Sequence, residues 1–389
     1  MTTKKQKIRL GLVVPHIFIN RDILPAVIFS PGNLALSLAK NLNQFDIDVT
    51  LFTPGPADTA VRNITADMTG FKQELDNRGY DYLDLLKKHP FTFISLARQV
   101  QSEVIAKAFD MANNNKLDII HIYTNEEDIA LPFAKLCKKA VVFTHHDPFN
   151  FLIKYKSVFP KYKELQWISL SYSQRSAMPE ETNWIANIYH GLDKNCLNPI
   201  KNPSNKYFAY LGRIIEPKGV HIAIEAVNIY NKKNNQSIKL KIAGKHYSEH
   251  TKDTYWTTKI KPYLNDNIEY VGHINSNSDK QLFLANAKAL IVPSIFDEPF
   301  GMVTIESLAC GTPVIGLDHG ATPEIIKDEV SGKIVKYIDD VQASNEIAKN
   351  INIIDRIDRS KCRREFVDNF TDTKMVYEHS ELYKKIAKV

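Results

Sequence analysis

Short apolar runs separated by amphipathic stretches fill the chain. In its first half the runs are RLGLVVP (9–15), DVTLFTP (48–54), DIIHIY (118–123), AVVFTHH (140–146), WISLS (167–171) and WIANIYHG (184–191). Residues 33–43 and 92–113 lie between them with helical apolar spacing. Unbroken Val, Ile and Leu runs are what a strand needs when both faces are covered, as in a parallel sheet. Strand–helix alternation therefore predicts a doubly wound α/β domain. A loop-like stretch with two prolines and four asparagines, DKNCLNPIKNPSNK (193–206), marks a domain boundary. The alternation then restarts with YFAYLG (207–212), IKLKIAG (238–244), IEYVG (268–272), KALIVPS (288–294), TPVIGLD (312–318) and GKIV (332–335). Helices are expected to begin near Gly219, Asp253, Ser278, Met302, Pro323 and Val341, and the chain ends in helical sequence over roughly 355–388. The expected division is 1–200, 201–370 and a terminal helix over 371–389.

Bulk properties narrow this picture little. A chain of 389 residues suits two domains, and 44% hydrophobic with 24% charged residues is ordinary globular composition. Cys137, Cys196, Cys310 and Cys362 are scattered without zinc spacing, so no metal site and a reducing, cytoplasmic setting are expected. The first apolar run is too short for a membrane span and reads as a buried strand after a basic start. The net charge of +6 suits anionic ligands or a membrane surface. A peripheral contact with the inner membrane surface stays open. No basic tract with interleaved aromatics argues for nucleic acid.

Ligands of open α/β sheets bind beyond the carboxyl ends of strands, so residues just after strands matter most. In YLGRIIEPKGVHIAIEA (210–226), Arg213 and Lys218 follow a strand and Gly219 opens a helix. They form an anion site or a solvated pair of loop charges. In IFDEPFGMVTIESLACGTPVIG (295–316), a helix starting at Met302 and stopping at Gly311 would expose N–H groups around Phe300, Gly301, Met302 and Val303. Glu306 lies one turn further on, and its carboxylate leans back toward the helix start, where it could accept from vicinal hydroxyls. Glu298 lies before the turn, where a sugar ring could sit. Either glutamate alone is most simply a surface acid; their relation to the turn favours a ligand.

Three further segments carry candidate chemistry. VVFTHHDPF (141–149) ends a strand at His145, His146 and Asp147, and alternation lets only one histidine face a ligand. FSPGNLALSLAKNL (29–42) places Pro31, Gly32 and Asn33 as an acceptor or phosphate loop ahead of a helix, without a GxGxxG fingerprint. The Asp46–Asp48 pair sits at a strand start and reads as a solvated turn rather than a metal site.

These segments resemble family 4 retaining glycosyltransferases of the GT-B fold, two Rossmann-like domains facing a central cleft. GRIIEPKG (212–219), EPFGMVTIE (298–306) followed by SLACGTPVI, and GLDHGATPEII (316–326) carry the resemblance, which covers nearly the whole chain. FTHHDP, WISLSYSQRSAMP and IANIYHGLD look like a subgroup of avilamycin-pathway and tetrahydrobiopterin glycosyltransferases. The resemblance implies that Arg213 and Lys218 bind the donor diphosphate and that Glu306 holds the ribose. Glu298 and the backbone of Phe300, Gly301 and Met302 would contact sugar and diphosphate. His146 would be the sugar-contacting histidine, and Gly272 would lie near the base.

It also implies a UDP-sugar donor, UDP-glucose first and UDP-N-acetylglucosamine second, with no cofactor and no metal. The acceptor is left unassigned. Retention without an evident nucleophile suggests front-face attack. The chain departs from the family pattern at Pro31-Gly32-Asn33, at His190-Gly191 and in the insertion-like 19–29, all bearing on the acceptor side. A sugar-nucleotide epimerase or phosphorylase, and a non-catalytic nucleotide-sugar-binding protein, are the alternatives.

Overall fold

The computed structural model describes residues 7–24, 27–246 and 254–388. Two parallel sheets carry the fold. The first contains β1 (Ile8–Val13), β2 (Ile47–Thr53), β3 (Arg62–Thr65), β4 (Ile119–Tyr123), β5 (Ala140–Thr144), β6 (Gln166–Ser169) and β7 (Trp184–Asn187), ordered β3-β2-β1-β4-β5-β6-β7. The second contains β8 (Tyr207–Leu211), β9 (Lys239–Ala243), β10 (Ile268–Gly272), β11 (Ala289–Val292), β12 (Val314–Leu317) and β13 (Gly332–Val335), ordered β10-β9-β8-β11-β12-β13. Helices cover both faces, so β4, β11 and β12 are buried along their whole length.

The chain divides into two compact units. Unit 1 comprises 1–170, 175–188 and 372–389, and unit 2 comprises 171–174 and 189–371. The division falls at Ile188/Tyr189, a few residues before the proline- and asparagine-rich stretch where the pattern set it.

Local detail adds to the sequence pattern at three places. Edge strand β3 has no apolar run to announce it; Asn63 ties it to β2 by donating to the Leu51 carbonyl at 3.2 Å and to Thr53 Oγ1 at 2.8 Å. The helical sequence over 355–388 forms two helices, Arg359–Asn369 and Asp372–Ala387, the second close to the terminal helix expected over 371–389. The break is local: the Phe370 carbonyl accepts from Leu192 N–H at 3.0 Å, and its buried ring packs between Tyr189 and Phe300. The helix expected near Asp253 starts outside the described residues, as do Pro25 and Ala26 of the 19–29 insertion; the described chain there resumes with a short turn at Trp256–Ile260.

In unit 2, the Arg359 helix braces its neighbours by capping their carbonyl ends. Arg359 donates to the Ala285 and Ala287 carbonyls at 2.7 and 2.9 Å, and Arg363 to those of Ala309 and Leu197 at 2.7 and 2.8 Å. Cations are favourable at helix C-termini, where carbonyls lack intrahelical donors. The Ala309 contact fixes the far end of the helix that carries Glu306.

Unit 1 buries an imidazole network. His121 contacts the Tyr383 hydroxyl at 2.6 Å and Thr144 Oγ1 at 2.8 Å, and stacks on His379 at 5.8 Å. Burial holds His145 and His379 down to about 4 and His121 well below its ordinary 6.5, the last also through His379. The unfolded chain therefore binds protons near 6.5 that the folded chain refuses, so stability is lost as pH falls from about 6.5 toward 4. Each unit of depression is worth about 1.4 kcal/mol. Burial raises the Glu127 carboxyl, which acts in the opposite sense, while burial also holds His16 down to about 4 and adds to the loss. Thermal melts should show Tm falling steeply between pH 7 and 5; a flat profile contradicts this.

Candidate active site

The order of the second sheet reverses between β8 and β11, which makes that junction its topological switch point. Ligands of such sheets bind beyond the strand ends there. The loop after β8 carries Arg213 and Lys218, and the loop after β11 carries Glu298 and Gly301. The sequence put both after strands; the topology makes the strands neighbours.

Close backbone contacts hold the two loops together. Ile295 N–H donates to the Pro217 carbonyl at 3.0 Å. Gly219 has φ of +66°, and a Cβ built on it would lie 1.9 Å from the Pro293 oxygen. Only glycine permits both that conformation and that approach. The result brings Lys218 Nζ into a hydrogen-bonded ion pair with Glu298 Oε1, both side chains largely buried. Tyr210, whose hydroxyl donates to the Arg213 carbonyl at 2.7 Å, senses the charges of both Glu298 and Arg213. The Arg213 side chain itself is exposed.

The loop after β12 completes the wall. Ala321 N–H donates to the Glu298 carbonyl at 3.0 Å, and Gly320 N–H to Asp297 Oδ1 at 3.2 Å. Glu324 accepts from Tyr172 N–H at 2.8 Å, Ser173 N–H at 2.7 Å and the Tyr189 hydroxyl at 3.0 Å. Sequence reasoning did not single out Glu324; it lay inside a quoted motif, but nothing local showed what it would bind.

The helix Met302–Ala309 starts on Gly301, whose φ is +95°, and Gly311 follows its end at +69°. Met302 and Val303 are half-buried, and the first N–H groups of a helix have no intrahelical acceptor. The space beside Gly301 is open: a Cβ there would come no nearer than 3.6 Å to Thr304 and 3.9 Å to Glu298 Oε2. The Phe300 side chain is an anchor instead, buried against His190 at 5.1 Å and Tyr189 at 5.9 Å. It offers a ligand only its main chain.

Glu306 is buried and ion-paired with Lys280 at 2.6 Å. Lys280 was not legible beforehand, since it reads as one cation on the surface helix Asn277–Ala285. Its charge reaches further: His273 is held below its ordinary value by burial and by Lys245 and Lys280. Gly272, just before it, has φ of +83° and open space where a Cβ would stand. Beside it, His246 stacks on Trp256 at 4.3 Å, and Trp256 packs on Tyr270 at 4.6 Å. The strand ends of this sheet thus gather Lys218, Lys245 and Lys280, a free helix start and two carboxylates each held by a lysine. That arrangement can bind an anion flanked by hydroxyl-bearing groups.

The unit 1 candidates separate. His145 is fully buried with Nδ1 at 3.1 Å from Glu127 Oε2, inside a shell of Phe149, Tyr155 and Phe159. His146 is half-buried against the Tyr123 ring at 4.7 Å. Pro31, Gly32 and Asn33 do not form a loop: they lie in the first turn of the helix Ser30–Leu42. Proline is tolerated there, and Gly32 is packed so that a Cβ would sit 2.6 Å from the Phe29 ring. Among the described residues no three His, Cys, Asp or Glu side chains gather as metal ligands.

Residues 198–364 match the family model of the glycosyl transferases group 1. The matched segment lies within unit 2. YtcC of Bacillus subtilis, named as a glycosyltransferase, is 25% identical over 305 residues, covering 70% of this chain and 69% of its own. Sucrose-phosphate synthase from Thermosynechococcus elongatus has a similar structure, with TM-score 0.71, 17% identity and coverage of 98% and 99% of the two chains. Anabaena HepE, crystallised with UDP and glucose, matches with TM-score 0.65 and 17% identity over 97% of this chain and 99% of its own. The fold is GT-B, α/β with two parallel-sheet Rossmann-like domains, and the family model and YtcC support glycosyl transfer.

Proposed function

We propose that the glycosyltransferase moves a hexose from a UDP-sugar to an acceptor hydroxyl with retention at the anomeric carbon and without a metal ion. UDP-glucose is the preferred donor and UDP-N-acetylglucosamine the second. The observation that carries this reading is the joining of the β8 and β11 loops, which sets Lys218, Glu298 and the Met302 helix start around one point. The UDP and glucose of the similar Anabaena structure support the donor assignment. The segments FTHHDP, WISLSYSQRSAMP and IANIYHGLD support the avilamycin- and tetrahydrobiopterin-like subgroup.

In this reading the diphosphate lies on the N–H groups of Gly301, Met302 and Val303, with Arg213 and Lys218 as counter-charges. Glu306 accepts from the ribose hydroxyls, and Gly272 leaves room for the base. Glu298 contacts the sugar. The acceptor oxygen attacks C1 from the face the diphosphate leaves, and the C1–O bond to the β-phosphate breaks with its electron pair passing to UDP. The acceptor proton goes to the departing phosphate oxygen. Preorganised cations and helix N–H groups stabilise the charge that develops there.

The test is turnover of several UDP-sugars against an acceptor panel, read by mass spectrometry, with the anomeric configuration read by proton NMR. Transfer with retained configuration, undiminished by EDTA, is expected. An inverted product, a loss of activity with EDTA, or epimerised sugar nucleotide without acceptor would overturn the reading.

A further inference from the structure

Lys280 has no part in the transfer step, yet it is paired with a residue of the donor site. It stands in the N-terminal half of the helix Asn277–Ala285, where the helix dipole disfavours a cation. Its Nζ nevertheless lies 2.6 Å from Glu306 Oε1 on another helix, and both side chains are largely buried. A lysine placed only to keep a helix face wet extends its head into water.

The two helices that carry the pair are tied together. Thr312, just past the Glu306 helix, donates from Oγ1 to the Leu284 carbonyl at 2.8 Å and from its N–H to the Ser307 carbonyl at 2.9 Å. Ser307 Oγ donates back to the Thr312 carbonyl at 3.0 Å. At the Lys280 helix, Ser276 Oγ caps the start by accepting from Asp279 N–H at 3.0 Å. One turn on, Gln281 Oε1 accepts from Asn198 N–H at 2.9 Å. The lysine and the glutamate therefore meet across backbones that are already fixed, so less freedom is lost than in a surface pair.

The two oxygens of Glu306 are used differently. Lys280 takes Oε1, and it is the ion-pair partner of Glu306 among the described residues. Oε2 accepts from no group among the described residues and is not sealed from solvent. A carboxylate held through one oxygen presents the other in a set direction, and the held oxygen keeps a second lone pair. Hydrogen bonds to an ionised acceptor are about twice as strong as neutral ones. Without its cation, a carboxylate in this setting is uncompensated and turns toward water.

We infer that Lys280, given the reading of Glu306 as the ribose acceptor, is a positioning residue that makes the donor site select ribonucleotides over 2′-deoxyribonucleotides. Lys280 does not touch the donor. It fixes the Glu306 carboxylate so that the vicinal 2′- and 3′-hydroxyls both meet a charged acceptor. Selection for the 2′-hydroxyl is lost once the carboxylate can turn.

The test is calorimetric titration of UDP and of 2′-deoxy-UDP into the full chain and into its Lys280→Met and Lys280→Arg variants. The wild type should prefer UDP by about tenfold or more, the weight of a hydrogen bond to a charged group. Lys280→Met keeps a long unbranched stem without the charge, and it should cut the preference to about threefold or less, mainly by weakening UDP. Lys280→Arg should restore part of it. An unchanged preference in Lys280→Met overturns the inference. Equal weakening of both nucleotides overturns it too, because Lys280 would then be a phosphate contact or, where the melting profile also shifts, a brace of the fold. Wild-type binding of UDP without preference over 2′-deoxy-UDP removes the selection itself. Binding of neither nucleotide by the wild type removes the donor reading and this role with it, whereas a preference that survives in Lys280→Met sinks the role of Lys280 alone.

Discussion

Lys218→Ala should lower kcat for sugar transfer by about two to three orders of magnitude, the usual effect of removing one preorganised donor to developing charge. Two losses combine. The leaving diphosphate loses a cation, and Glu298 loses the partner that neutralises it in a largely buried setting. An unpaired carboxylate beside a diphosphate repels it, so KM should rise as well. Lys218→Arg should recover part of the loss, because it restores charge but not the compact ammonium geometry. Glu298→Gln separates the two effects: it leaves Lys218 free to meet phosphate, so donor binding should persist while turnover falls. Steady-state kinetics on the three variants checks this, and unchanged kcat in Lys218→Ala would remove Lys218 from the chemistry.

Gly219→Val should be the most damaging single substitution at the site. Its Cβ would stand 1.9 Å from the Pro293 oxygen, which is backbone and cannot swing aside, and a β-branched residue resists φ of +66°. The loops after β8 and β11 must then part, and the ion pair between Lys218 and Glu298 goes with them. A cost of about 3 kcal/mol or more is expected from strain and clash together. Gly272→Ala is the comparison. It shares a positive φ, +83°, but nothing lies within 4 Å of its Cβ, so only about 1–2 kcal/mol of backbone strain should appear. Differential scanning calorimetry on both variants distinguishes them. Equal Tm values would mean that the contact with Pro293 does not hold the loops.

The strands were readable because a sheet covered on both faces demands unbroken apolar runs, and IIHIY, ALIV and VIGL supply them. Strand β3 was not readable, since its pairing rests on an asparagine side chain rather than on apolar burial. The Met302 helix was readable from Gly301 and Gly311, two residues whose conformations mark its ends. The start of the Ser30 helix was not, because proline and glycine signal a loop as readily as a first turn. In the site itself, Arg213, Lys218, Glu298 and Glu306 stood out by their places after strands and on one helical turn. Lys280 and Glu324 did not: each matters through a partner 26 or more than 100 residues away, and only the folded sheet brings those partners together. His145 and His146 show the same limit in small. Alternation let only one of them face a ligand, and the shell of Phe149, Tyr155 and Phe159 encloses His145.

Calorimetric titration of UDP into the wild-type chain and into the Lys218→Ala with Glu306→Ala double variant addresses the central claim most directly. Saturable UDP binding by the wild type, weakened by about a hundredfold or more in the double variant, is the predicted result. No UDP binding by the wild type, or equal affinity in the two proteins, would contradict the assignment of the β8–β11 junction as the donor site.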